Sequence, residues 1–293
     1  MSKVIKNSEL ILNRDGSIYH LHLRPENIAR TIITVGDPER VDQVSKHFDS
    51  IDFKQQKREF KTHTGFLSNK RISVISTGIG TDNIDIVLNE LDALVNIDLK
   101  NKTLKKNHTA LNIVRIGTSG SIQKDIPVDS FLMNTFALDI NGMLRSYELN
   151  HVNHPELEDA FVAHTKWDEK KAYPIIISNS KLLEDKIYSD KIYKGMTATA
   201  GGFYGPQGRI LRLPIQDPDL NQKIDSFDYK GIRITILELE TSAIYGLSKL
   251  LGHHACSINA ILANRANGEF SKNPELVVNN LIQYTLDKLA GSL

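Results

Sequence analysis

The chain has 293 residues, 40% hydrophobic and 24% charged, with 36 Lys plus Arg against 35 Asp plus Glu. That balance excludes the strongly basic footprint of a nucleic-acid or membrane-surface binder, and the length suffices for a large core without covalent staples. The lone Cys256 excludes an intrachain disulfide, no apolar run approaches the ~18 residues of a membrane span, and MSKVIKNSELILNRDG lacks the apolar centre of a secretion signal, so a cytoplasmic protein is expected.

In chain order, residues 1–17 read as an N-terminal extension of a single domain. RTIITVGDP reads as a buried strand ending in a turn. RISVISTGIG is a second strand stopped by glycines. TDNIDIVLNELDALV then has apolar residues at helical spacing, with Thr81 or Asp82 as N-cap. NIDLKNKTLKKNHTALN is basic and polar, and reads as a surface connection or helix extension. LNIVRIGTSG repeats the strand-and-glycine design, and VDSFLMNTFAL and AYPIIIS are further strands. HVNHPELEDAFVAHTKWDEKKA is helical in tendency, with histidines too irregularly spaced for a metal site. GIRITILELE is a strand running into the helix TSAIYGLSKLLG, which Gly252 stops. ACSINAILAN is another buried strand, with Cys256 a buried structural thiol. PELVVNNLIQYTLDKLAG is a closing amphipathic helix with Pro274 in its first turn. Alternating strands and helices predict a three-layer α/β/α domain around a central mixed sheet.

Three strands end in glycine turns, TVGDPER, STGIGTD and RIGTSGS. Ligands of open α/β sheets bind at the carboxyl ends of strands, where glycine N–H groups can approach an anion. None of the turns matches a Walker A or dinucleotide pattern. Arginines cluster near them: Arg40 four residues after Gly36, Arg115 just before Gly117 and Thr118, and Arg58 in KREFKTHTG. Arg115 falls in an apolar strand. A buried guanidinium needs a partner, either a protein carboxylate or a bound anion, and the sequence leaves both open. In ILELETSA, Glu238 and Glu240 share one face if the strand continues through them. At a strand end Glu240 can accept hydrogen bonds from vicinal sugar hydroxyls, or it can simply favour the following helix dipole. GFYGPQGR places Phe203, Tyr204, Gln207 and Arg209 in one glycine-rich loop, a composition suited to a flat polar ring.

These pieces resemble the nucleoside phosphorylase-I family. The resemblance runs from about His20 to Arg265 and through the closing helix, and is carried by YHLHL, VGDPERV, REFKTHTG, STGIG, RIGTSGSI, FYGPQGR, LELETSA and ANR. It implies phosphorolysis of a ribonucleoside to ribose 1-phosphate and free base, without an organic cofactor. FYGPQGR resembles the uracil-binding loop of the uridine-directed branch. By that resemblance Gly36, Arg40, Arg115 and Thr118 bind phosphate. Arg58 and His20 are lent by a neighbouring subunit, to phosphate and to the sugar 5′-hydroxyl. Glu238, Leu239 and Glu240 grip the ribose. Phe203 lies beside sugar or base, Gln207 and Arg209 hydrogen-bond the base, and Arg265 supports that loop. The catalytic group would be Arg115, Arg209 and Glu240. A homo-oligomer with shared sites follows, a hexamer or a dimer, with room for a monovalent cation and no other assigned metal. The chain departs from the family where Glu-Leu-Glu replaces the usual Glu-Met-Glu, in GIGTDN, and in insertions near 95–110 and 145–170. Asn264 stands near the position of an aspartate that protonates purines in purine-specific relatives, which argues against a purine base, whereas ETSAIYG resembles the helix start of those purine enzymes. A purine or broad-specificity phosphorylase, and a hydrolytic nucleosidase, are the alternative readings.

Overall fold

The structure, a computed structural model, describes residues 4–149 and 151–291. The elements that carry the sheet's first half are β1 (Thr31–Val35), α1 (Pro38–Ser45), β2 (Ser50–Lys57), β3 (Phe60–Leu67), β4 (Lys70–Ser76) and α2 (Thr81–Asn96). A short hairpin of β5 (Ile97–Asp98) and β6 (Thr103–Leu104) leads to β7 (Asn112–Ser121) and β8 (Phe131–Asp139). Then come α3 (Pro155–Thr165), β9 (Ile175–Ser178), α4 (Lys181–Ile187) and β10 (Tyr193–Thr199). After the segment 200–219 follow α5 (Leu220–Asp225), β11 (Asp228–Tyr229), β12 (Ile232–Glu238) and α6 (Thr241–Leu250). β13 (His254–Asn264), β14 (Glu269–Phe270) and α7 (Pro274–Gly291) complete the chain.

Twelve strands form one mixed sheet, ordered β11-β12-β10-β8-β13-β7-β1-β4-β3-β2, with β9 beside β8 and β14 beside β13. β1 lies parallel between β4 and β7, and β7 parallel to β13, whereas the β2, β3 and β4 meander is antiparallel. β12 also reaches back antiparallel to β7, so β7, β13, β8, β10 and β12 close into a ring. Strand alternation divides the core. Ile32, Ile75 and Ile113 pack with α2 and α6, while Ile33, Val74 and Val114 pack with α1, α4 and α7. This is the expected α/β/α layering. Cys256 is fully buried, as a structural thiol should be.

Two local expectations are corrected and a third is decided. The strand does not run through Glu240: it stops at Glu238, whose carboxylate accepts the N–H groups of Glu240 and Thr241 and so caps α6. The N-cap of α2 is Gly80 at φ 100°, not Thr81 or Asp82, and Thr81 is already helical. The basic stretch after α2 does not extend the helix but is a surface connection, built as a β-hairpin whose Lys105 donates to the carbonyl of Val95 near the end of α2. No helix among the described residues is long and apolar enough to cross a membrane. Residues 4–17 lie against the sheet domain, with Leu10 buried in the same core as Ile32.

Candidate active site

The carboxyl ends of β1, β4, β7 and β12 surround a cavity of about 800 Å³. Gly36, Arg40, Arg115 and Thr118 line it, as do Phe203, Gln207, Arg209 and the run Glu238-Leu239-Glu240. The structure therefore brings together ten expected site residues, from Gly36 to Glu240, and each arrives for a local reason. Asp37 accepts from Glu39 N at 2.8 Å and starts α1, which sets Arg40 on the helix's first turn. Arg40 makes no ion pair among the described residues. Burial and the nearby Arg115 both push its proton affinity down, so a bound anion would relieve it.

Arg115 is 8% exposed and held on three sides. Nη1 donates to Asn259 Oδ1 at 2.9 Å, Nη2 donates to Glu240 Oε2 at 2.5 Å, and Glu238 Oε2 stands 3.8 Å away. Burial opposes the guanidinium charge, but Glu240 and Glu238 outweigh it and hold Arg115 above its ordinary value. The side chain folds back over Gly117, where a Cβ would fall 1.8 Å from Nη1 and 2.3 Å from Asn259 Oδ1. Glycine at that position is thus a condition for the arginine's pose.

The two carboxylates differ. Glu238 accepts from Thr199 Oγ1 at 2.5 Å, and from Glu240 N, Thr241 N and Thr241 Oγ1 at 2.8 Å each. Its oxygens are occupied by the fold, so it is a scaffold for its neighbours and not a free acceptor for a sugar. Among the described residues Glu240 accepts only from Arg115 and from Gly80 N, the latter at 3.0 Å. Burial, with Glu238 adding to it, raises its pKa against the pull of Arg115. An extra hydrogen-bond donor would therefore be welcome there.

The 200–219 segment separates this cavity from a second one of about 710 Å³, and Arg209 touches both. Phe203 faces the first and Tyr204 the second, so the aromatic pair does not act as one platform. The Arg209 guanidinium lies 3.8 Å from the centre of the Phe203 ring, donates to Phe203 O at 2.7 Å, and donates to Gln207 Oε1. Burial and the neighbouring Arg265 lower its pKa to about 10, which leaves it cationic at neutral pH. Gln207 is 1% exposed, with its amide orientation set by Arg209. Arg265 does not line the cavity but donates to Gln207 O at 3.1 Å.

His20 and Arg58 are not in this cavity. Arg58 is exposed in the β2–β3 turn at φ 57°. The two lie on neighbouring segments, because Lys57 Nζ donates to Tyr19 O at 2.5 Å and sits 4.6 Å from the centre of the Tyr19 ring. Among lining residues that the sequence reading missed are Ser119, Asn83 and Phe270, along with Asn259 behind Arg115. Asn259 had a signal, an amide set among the apolar residues of β13. Asn264 is buried outside the cavity and spends its side chain on Gln123 O, Ile126 O, Ala266 N and Asn267 N.

One cluster among the described residues has metal-like spacing: Asp92, His108 and His253, with ligand-type atoms within 4.8 Å of one another. Leu111 N donates to His253 Nδ1 at 3.2 Å, which puts the proton of the neutral ring on Nε2, 3.2 Å from Asp92 Oδ1. A nitrogen that bears a proton has no lone pair for a cation. The cluster reads as a clamp between α2 and the start of β13.

Residues 30–289 match the sequence family described as the phosphorylase superfamily. A uridine phosphorylase of Thermococcus kodakarensis is 28% identical over 267 residues, covering 89% of this chain and 82% of that protein. A DeoD-type purine nucleoside phosphorylase of Bacillus thuringiensis is 26% identical over 273 residues, covering 92% and 97%. The crystal structure of a Trypanosoma brucei nucleoside phosphorylase, described as showing uridine phosphorylase activity, matches with a TM-score of 0.86 at 27% identity, over 97% of this chain and 100% of that one.

Proposed function

The chain belongs to the phosphorylase superfamily and is a pentosyltransferase; on that premise we propose that it cleaves uridine by phosphorolysis, giving uracil and ribose 1-phosphate. The observation that carries the reading is the convergence in one cavity of two arginines, Arg115 and Arg40, the latter without an ion pair among the described residues, with the amide–guanidinium pair of Gln207 and Arg209.

Phosphate sits against Arg40, Arg115, Thr118 and the backbone of Gly36. One of its oxygens attacks the anomeric carbon as the bond to uracil N1 breaks. The bonding pair leaves with the base, which is an anion until it takes a proton. Arg209 stabilises charge delocalised onto a uracil carbonyl, and Gln207 matches the adjacent ring N–H and carbonyl. Glu240, and the apolar contact of Leu239, hold the ribose. The saturated bonding of Glu238 favours a supporting role for it. No group of the protein needs to form a covalent intermediate, since positioning and electrostatics supply the catalysis. Arg58 and His20 reach the site of a neighbouring copy in a homo-oligomer, a role favoured by their position outside their own cavity.

The test is product analysis with uridine, thymidine and inosine, with and without inorganic phosphate. Phosphate-dependent release of uracil, with ribose 1-phosphate in equal amount, is expected. Inosine as the better substrate would overturn the base assignment, and phosphate-independent cleavage would overturn the reaction class.

A further inference from the structure

Glu90, on the outer face of α2, is bound to the His20 segment from 70 residues away in sequence. Its carboxylate accepts from His20 N at 3.0 and 3.1 Å, from Leu21 N at 2.8 Å, and meets His20 Nδ1 at 2.6 Å. The Glu90 side chain is 13% exposed and that of His20 28%. We propose that Glu90 is the positioning residue for His20, fixing the imidazole so that Nε2 faces outward as a hydrogen-bond acceptor for the 5′-hydroxyl of a nucleoside held by a neighbouring copy. The inference rests on the proposed role of His20.

The argument is one of proton placement. A carboxylate that takes two backbone N–H groups is an acceptor, so the contact to Nδ1 requires the proton on Nδ1. The neutral ring then has its lone pair on Nε2, which makes no hydrogen bond among the described residues. The Tyr19 ring stands edge-on to the imidazole, with centroids 4.8 Å apart at 83°, and blocks tilt on that side. Lys57 holds Tyr19 from behind. Backbone, ring and proton of His20 are thus set by one side chain.

Glu90→Gln reverses the pattern. The amide oxygen keeps the backbone donors, the NH₂ faces Nδ1, and the histidine proton moves to Nε2, so the 5′-hydroxyl can no longer donate to that nitrogen and must turn to accept from it. The comparison of uridine with 5′-deoxyuridine reads the effect, because the second substrate lacks the hydroxyl. Glu90→Gln should lower kcat/KM for uridine about five- to tenfold, the worth of one hydrogen bond, and leave 5′-deoxyuridine unchanged. Glu90→Asp, which keeps the carboxylate, should retain part of the uridine preference. Glu90→Gln added to His20→Ala should cost nothing more. An equal fall on both substrates would overturn the inference and leave Glu90 a structural residue. So would a normal preference in Glu90→Gln when His20→Ala abolishes it. If His20→Ala itself leaves the preference intact, the role of His20 fails first, and the inference with it. Melting temperatures of each variant keep unfolding apart from these outcomes.

Discussion

Arg115 Nη2 stands 2.5 Å from Glu240 Oε2, so the residue assigned to phosphate and the residue assigned to ribose are bound to each other. On the proposed roles, phosphate arriving at Arg115 would compete with Glu240 and free a carboxylate oxygen for the sugar. Binding of the two substrates is then expected to be coupled through one ion pair.

Glu240→Gln removes that competition. Phosphate should bind the variant about threefold to tenfold more tightly in the absence of nucleoside, a change of about 1 kcal/mol in a charge-assisted contact. The KM for uridine should rise by at least as much. Titration calorimetry with phosphate and steady-state kinetics with uridine read the two halves, and opposite signs are the distinguishing result.

Arg115→Ala should cost stability as well as activity. It leaves Glu240 buried beside Glu238 without its cation, and breaking a buried pair in this way costs about 3–5 kcal/mol. Turnover should fall about 100-fold or more, as for loss of a preorganised donor to the reacting charge. Urea unfolding and kinetics with varied phosphate measure each.

Gly117→Ala tests the pose of Arg115 without touching its charge. The added methyl falls on Nη1, so the guanidinium must leave Asn259. Activity should drop about tenfold or more, with KM for phosphate raised, since misplacement of a positioned group by about 1 Å can cost 100-fold. A variant with wild-type phosphate kinetics would show that the arginine acts from another position.

Base choice should follow the 200–219 segment. Gln207→Ala should leave uracil polar groups unmatched, at about 1–3 kcal/mol. Arg209→Ala should lower kcat beyond its effect on binding, because its charge matters most as the base departs. The ratio of kcat/KM for uridine over inosine should fall in both. An unchanged ratio would return the loop to a packing role.

Stability should fall on acidification through His63. This β3 residue is 4% exposed, and its Nδ1 lies 2.8 Å from Ser45 Oγ. Burial, then Lys54, pushes its pKa below the ordinary 6.5. The unfolded chain therefore takes up the proton first. Stability from this group is complete above pH 6.5 and is lost as the pH falls from there through the folded value. His63→Gln should flatten the pH dependence of Tm between pH 7 and 5.

Arg115 is legible in the sequence because a guanidinium inside an apolar strand demands a partner. The partner is not legible, since Asn259 arrives only through the parallel register that sets it against Gly117. The β2–β3 hairpin escapes a pattern reading for a related reason. SIDFKQQK is an edge strand with polar residues along its length, and FKTHTGFL buries Thr62, His63 and Thr64 where apolar residues would signal a core. β10 hides likewise, because its Thr197 and Thr199 are buried to bind Glu238. The period of ILELE suggests a strand through Glu240, but side-chain capping by Glu238 overrides it. What the pattern misses are polar groups satisfied by distant polar groups, and hydrophobic periodicity carries no record of these.

The closed ring of β7, β13, β8, β10 and β12 divides the enzyme into a fixed hoop and an exchangeable insert. Arg115, Asn259 and Glu238 are fastened to the hoop, and each strand of it is braced on both edges. Gln207 and Arg209 sit on a connection that leaves the hoop after β10 and rejoins the sheet at β11. On the proposed assignments, bond breaking and base reading would be separate modules, and selection or design could rewrite the insert to admit another nucleobase while the hoop kept its hold on phosphate and sugar.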